Sequence, residues 1–127
     1  AEGLVAVHDG VRPLVSRTLI RRTFEVAEET GAALPACPVT DSLRLLGEDD
    51  TNEAVDRARY RAVQTPQTFD LERLHRAYEQ PFSPQFTDDA SVYEAAGLGA
   101  ITLVEGEETN IKLTTPRDLL LADLLLD

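Results

Sequence analysis

Leu4-Val5-Ala6-Val7-His8-Asp9-Gly10 and Ala32-Ala33-Leu34-Pro35-Ala36-Cys37 flank a helical pattern, and the two runs together decide the fold. The first is a short apolar run of buried-strand type that stops at a His-Asp-Gly turn. Val11-Arg12-Pro13-Leu14-Val15 follows, and Ser16 stands where a helix N-cap belongs. From Arg17 to Thr30, Leu19, Ile20, Phe24, Val26 and Ala27 recur at helical spacing, and Gly31 closes the helix. Strand, helix, strand at these lengths is a βαβ unit, which predicts a parallel sheet.

Outward from this unit, Val39 to Leu46 alternates weakly, Gly47-Glu48-Asp49-Asp50 is a turn, and Asn52 to Val63 alternates again with many charges. Residues 39–64 read as a β-hairpin with little core of its own, an arm that needs a foreign surface. Asp70 is expected to cap a helix running to about Tyr78. Thr87-Asp88 starts another ending near Gly97, Ala100 to Val104 is a strand, and Pro116 opens a leucine-rich last helix. The expected architecture is α/β, one unit over 1–127 with an inserted β-arm.

The chain has 127 residues, 43% of them apolar, and a formal charge of −11 from 23 acidic and 12 basic residues. An acidic chain without a basic cluster argues against nucleic acid as a partner. No apolar run approaches the ~20 residues of a membrane helix, so a cytoplasmic protein without membrane contact is expected. The one cysteine, Cys37, reads as a small buried residue at a strand end rather than a redox centre. Among the basic residues only Lys112 is lysine; the rest are arginine, whose planar fork suits phosphate and carboxylate. No G-x-G-x-x-G or G-x-x-x-x-G-K-[ST] loop occurs.

Four places carry chemistry. Asp9 lies just past the end of a buried strand, where open α/β sheets bind ligands; its carboxylate can take a divalent cation or a ribose hydroxyl, and Arg12 can grip phosphate. Asp-Gly is also ordinary turn chemistry. Thr65-Pro66-Gln67-Thr68 offers a hydroxyl and an amide at a strand end, or merely a Thr-Pro turn. Thr87-Asp88-Asp89-Ala90-Ser91 taken alone reads as a helix-capping box. Lys112, in a loop before the last helix, is a candidate phosphate ligand or simply a solvated cation.

In order and spacing these elements resemble one family. Val7-His8-Asp9 with Arg12-Pro13, Pro38-Val39 with Asp41-Ser42, Val55-Asp56-Arg57 and Gln64-Thr65-Pro66-Gln67 match it in turn. So do Thr87 to Ser91 and the run from Glu105-Gly106 through Asn110-Ile111-Lys112, Thr114, Pro116 and Asp118-Leu119. They are similar to the 2-C-methyl-D-erythritol 4-phosphate cytidylyltransferases from Leu4 nearly to the end. The resemblance implies a Rossmann-like nucleotidyltransferase sheet, of which this is the C-terminal portion; the family's opening glycine-rich CTP loop has no counterpart here.

It further implies transfer of CMP from CTP to 2-C-methyl-D-erythritol 4-phosphate with release of pyrophosphate, a step of non-mevalonate isoprenoid precursor synthesis. Asp9 is implied at the nucleotide and Mg²⁺ site. Arg12, Thr65 and Lys112 are implied on the substrate side of the cleft, with Lys112 near the reacting phosphates. Ser42 and Arg57 are implied on the arm, reaching the partner's sugar phosphate across a homodimer. Two rivals stand beside this: a ribitol-5-phosphate cytidylyltransferase, and a non-catalytic dimerisation fragment, the 127 residues alone being expected to be inactive.

Overall fold

A computed structural model describes residues 3–126. Ala1, Glu2 and Asp127, which the expected unit 1–127 includes, lie outside the described residues. The first helix, α1 (Arg17–Thr30), is bounded as its sequence dictates. The Ser16 hydroxyl accepts from the Leu19 N–H at 3.0 Å, satisfying one of the donors a helix leaves unpaired at its start. Gly31 ends it at φ 97°, left-handed backbone that costs glycine little, and a Cβ there would collide with the Arg73 guanidinium.

Five strands form the main sheet: β1 (Leu4–Val7), β2 (Ala32–Pro38), β5 (Arg61–Val63), β6 (Gln67–Asp70) and β7 (Thr102–Glu105). The βαβ reading holds for the elements but not for their pairing. β6 lies between β1 and β2 and runs antiparallel to both, so β1 and β2 point the same way without touching. Among the described residues only β2 and β7 pair in parallel. The sheet is therefore mixed, and its missed central strand is β6. Gln67 and Thr68 made it look like a loop, yet both are buried and bonded: the Thr68 hydroxyl donates to Thr23 Oγ1 at 3.0 Å, and the Gln67 amide reaches Asp88 and Ala90. A polar pair fits a core strand only when partners wait on the elements that cover it.

Both faces of the sheet are covered, which explains the unbroken apolar run of β2. On one face Ala33 and Val104 pack under Leu19 and Ala27 of α1. On the other, Ala32, Leu34, Ala36 and Phe69 pack with Leu74 of α2 (Leu71–Ala77) and with Ala90 and Tyr93 of α3 (Asp89–Ala95). The Phe69 and Tyr93 rings lie 5.3 Å apart. The last helix, α4 (Pro116–Leu125), buries Ala122 and leaves Leu119, Leu120, Leu121 and Leu124 exposed. Among the described residues no helix is long and apolar enough to cross a membrane.

The arm is a separate two-stranded sheet, β3 (Arg44–Leu46) with β4 (Asn52–Ala54), every residue of which is exposed. Its turn closes through the Gly47 N–H donating to the Thr51 carbonyl at 2.8 Å, with Asp49 and Asp50 at positive φ. The expected single strand from Asn52 to Val63 breaks at Asp56, whose carboxylate accepts from the Ala58 N–H and starts a 3₁₀ turn at Arg57–Arg59. The chain then rejoins the main sheet as β5 beside the end of β2.

Candidate active site

The segment from Arg61 to Asp70 runs antiparallel along one edge of β2 but is not in even register. Three steps on β2, from Ala33 to Ala36, face five on the partner, from Thr68 to Val63. The two surplus residues make a bulge around Gln64-Thr65-Pro66, anchored by the Gln64 N–H donating to the Pro35 carbonyl at 2.8 Å. Bulges re-aim side chains, and this one turns Thr65 toward the end of β1.

There the Thr65 hydroxyl accepts from the Asp9 N–H at 3.0 Å and lies 3.0 Å from His8 Nδ1. His8 Nε2 sits 2.9 Å from the Arg12 carbonyl, which can only accept. The Arg12 carbonyl therefore calls for a proton on Nε2, and in that tautomer Nδ1 accepts a hydrogen bond from the Thr65 hydroxyl. Arg12, with its side chain 13% exposed, donates from Nη1 to the Asn110 carbonyl at 2.7 Å and from Nε to Asp9 Oδ2 at 3.4 Å. The Asp9 side chain is 39% exposed.

A third segment, residues 105–115, brings Lys112. Glu107 fastens it to the start of α1, its carboxylate accepting from the Ser16 hydroxyl at 2.6 Å and the Ser16 N–H at 3.2 Å. The Leu113 N–H donates to the Val11 carbonyl at 2.8 Å. At its far end Asp118 accepts from the N–H groups of Thr114 and Thr115, and the Thr114 bond holds that carboxyl below the ordinary aspartate range. Lys112 itself is exposed and has no carboxylate within 4 Å among the described residues.

These segments enclose a cleft of about 360 Å³ lined by Asp9, Arg12, Gln64, Thr65, Asp88 and Lys112, among others. Four of the residues singled out in the sequence, Asp9, Arg12, Thr65 and Lys112, share it. Asp88 joins them while still capping α3, its carboxylate accepting from the Ser91 N–H at 2.8 Å and from Gln67 Nε2 at 3.0 Å. Ser42 and Arg57 lie elsewhere, both exposed on the arm, and Arg57 donates to the Thr40 carbonyl at 2.6 Å. Cys37 is half-buried rather than buried, because the last residues of β2 pass out of the core. Burial, then the Glu108 and Glu105 carboxylates, push its thiol pKa up.

The whole chain, residues 1–127, matches the family model of 2-C-methyl-D-erythritol 4-phosphate cytidylyltransferase. The chain belongs to that family. Enzymes of that name from Porphyromonas gingivalis and Bacteroides thetaiotaomicron are 57% and 52% identical to it over 97% and 99% of its length. The crystal structure of the Thermus thermophilus cytidylyltransferase superposes on 96% of the chain with a TM-score of 0.82 at 41% identity. The Anaerococcus prevotii synthase covers 96% at a TM-score of 0.86 and 30% identity. The chain spans 55% and 57% of the length of the Porphyromonas and Bacteroides cytidylyltransferases. The ribitol alternative receives no support from these matches.

Gln64 and Asp88 also line the cleft, and His8 and Asn110 support it from behind through hydrogen bonds to Thr65 and Arg12. No local sequence pattern marks these four, because the burial and pairing of the amides at 64 and 110 arise only from tertiary contacts.

Proposed function

We propose that the protein transfers CMP from CTP to 2-C-methyl-D-erythritol 4-phosphate and releases pyrophosphate. The observation that carries the reading is the cleft itself. Residues from three distant segments, Asp9 with Arg12, Thr65, and Lys112, line one polar cavity at the carboxyl end of β1. A phosphate oxygen of the sugar attacks the α-phosphorus of CTP in line, and no covalent enzyme intermediate is needed. The work is to hold two anions together and to offset charge at the transferring phosphoryl group. Lys112, exposed and without a carboxylate partner among the described residues, supplies a cation for it. Arg12 is already committed to Asp9 and the Asn110 carbonyl, so it holds the Asp9 carboxylate in place as much as it attracts phosphate.

A divalent cation such as Mg²⁺ fits Asp9. Mg²⁺ takes one or two carboxylates and completes its shell with waters and substrate phosphates. Asp9 offers such a carboxylate, and no cluster of three or more ligating side chains stands among the described residues to hold a metal unaided. When bound, the cation offsets the charge of the nucleotide phosphates. The exposed arm, with Ser42 and Arg57, packs on a second copy and offers Arg57 to that copy's sugar phosphate.

The test is pyrophosphate release by the full-length protein supplied with CTP, Mg²⁺ and either 2-C-methyl-D-erythritol 4-phosphate or ribitol 5-phosphate. Turnover with the first and not the second is expected. No CTP turnover with either, from folded protein, would assign the chain a non-catalytic role.

A further inference from the structure

We propose that Gln64 and Asn110 form an amide clamp that positions Lys112 against Thr65 and Arg12 for phosphoryl transfer. The inference rests on the reading of Lys112 as the cation of the transfer step. Asn110 is wholly buried and Gln64 is 9% exposed, though both lie in loops. Gln64 Oε1 accepts from the Glu107 N–H and from Asn110 Nδ2, each at 3.2 Å, while its Nε2 donates to the Glu107 carbonyl at 2.8 Å. Asn110 Nδ2 also donates to the Thr65 carbonyl at 2.9 Å, and the Asn110 carbonyl accepts from Arg12. One pair of amides thus ties the bulge that aims Thr65, the loop that carries Lys112, and Arg12.

Only amides meet these demands, because Gln64 must donate and accept at one end of its side chain. Gly106 lets the clamp close: a Cβ there would stand 2.7 Å from Gln64 Oε1 and 2.9 Å from Cys37 Sγ. Asn110 Nδ2 faces two acceptors, which fixes its orientation and leaves Oδ1 buried without a partner among the described residues. An unpaired buried acceptor is a poor choice for stability, so the geometry it secures is the reason for the residue. Lys112 follows two positions later, held between Asn110 and the Leu113–Val11 hydrogen bond. Gln64 and Asn110 are positioning residues, acting through Lys112.

The test uses the full-length enzyme with isosteric variants, Asn110→Asp and Gln64→Glu, each removing donors at constant volume. Each is expected to lower kcat roughly 100-fold, the loss a displacement of about 1 Å can cause, with KM for CTP nearly unchanged. Residual rates are followed with radiolabelled CTP in a cycle with Lys112→Gln. If the clamp acts through Lys112, Asn110→Asp adds no further loss in the Lys112→Gln background. Losses that multiply would overturn the clamp while leaving Lys112 in its role. A Lys112→Gln variant with parental kcat would overturn the reading of Lys112, and the clamp with it. Failure of both isosteric variants to fold would assign the amides to stability alone and overturn the proposal equally.

Discussion

Arg57 is where an arm residue separates a structural role from a chemical one. It is exposed, and its bond to the Thr40 carbonyl is one that any long donor could make. If its guanidinium serves a sugar phosphate in a second subunit, bidentate geometry makes lysine a poor substitute. In the full-length enzyme Arg57→Lys is then expected to raise KM for the sugar phosphate well above its effect on KM for CTP. Mixing Arg57→Ala subunits with Lys112→Ala subunits should restore activity, because each heterodimer gathers both lesions in one site and leaves the other intact. Exchange of subunits without return of activity would remove Arg57 from the partner's site. Cys37 offers a second check. With its pKa raised by burial and by Glu108, the thiolate is scarcer than in a free cysteine at the same pH. Alkylation by iodoacetamide should be slower than that of a free cysteine at pH 8 and should gain rate only at higher pH. A rate equal to that of free cysteine would contradict the placement of Cys37 beside these carboxylates.

Ser16 shows how an element's cap becomes part of the site. Its hydroxyl accepts from Leu19 N–H at the start of α1 and donates to Glu107 in the loop that carries Lys112. Removing an N-cap hydroxyl costs about 1 kcal/mol, and here Glu107 also loses a charge-assisted bond of ~2 kcal/mol. Ser16→Ala should therefore destabilise by roughly 1–3 kcal/mol in urea unfolding. An effect under ~0.5 kcal/mol would show that the link is not formed in solution. The arm poses the opposite case, an element with no internal support. Leu45 and Leu46 are exposed along with the rest of β3 and β4, and an isolated hairpin of this kind is marginal in water. Full-length protein is expected to sediment as a dimer at micromolar concentration, and deletion of Arg44–Ala54 to yield a monomer. A monomeric parent would sink the arm's role. The helices α1, α2 and α3 were legible in the sequence because their caps and periodicities are local. The strand β6 was not, since four residues headed by Gln67 and Thr68 reveal their burial only through partners on α1 and α3.

At the scale of the molecule, basic residues at the cleft work against a net charge of −11. That field disfavours the two anionic substrates of the proposed reaction, so pyrophosphate release should weaken when Arg12 or Lys112 is neutralised far more than when an exposed arginine such as Arg117 is. The sequence also holds no glycine-rich phosphate loop, and each absent donor of that type can cost ~3 kcal/mol in the transfer step. The 127 residues alone are expected to release no pyrophosphate from CTP above background. Release on the order of 1 per second would overturn that expectation. Composition, helix caps, the apolar run of β2 and the motif order determined the fold class and singled out Asp9, Arg12, Thr65 and Lys112 as candidates, because those signals are local or are recorded in spacing. Tertiary structure alone decided that β6 separates β1 from β2, that a bulge aims Thr65 at His8 and Asp9, and that Gln64 meets Asn110 across 46 positions of sequence. Those outcomes depend on which distant groups satisfy buried hydrogen bonds, and no local pattern carries that information.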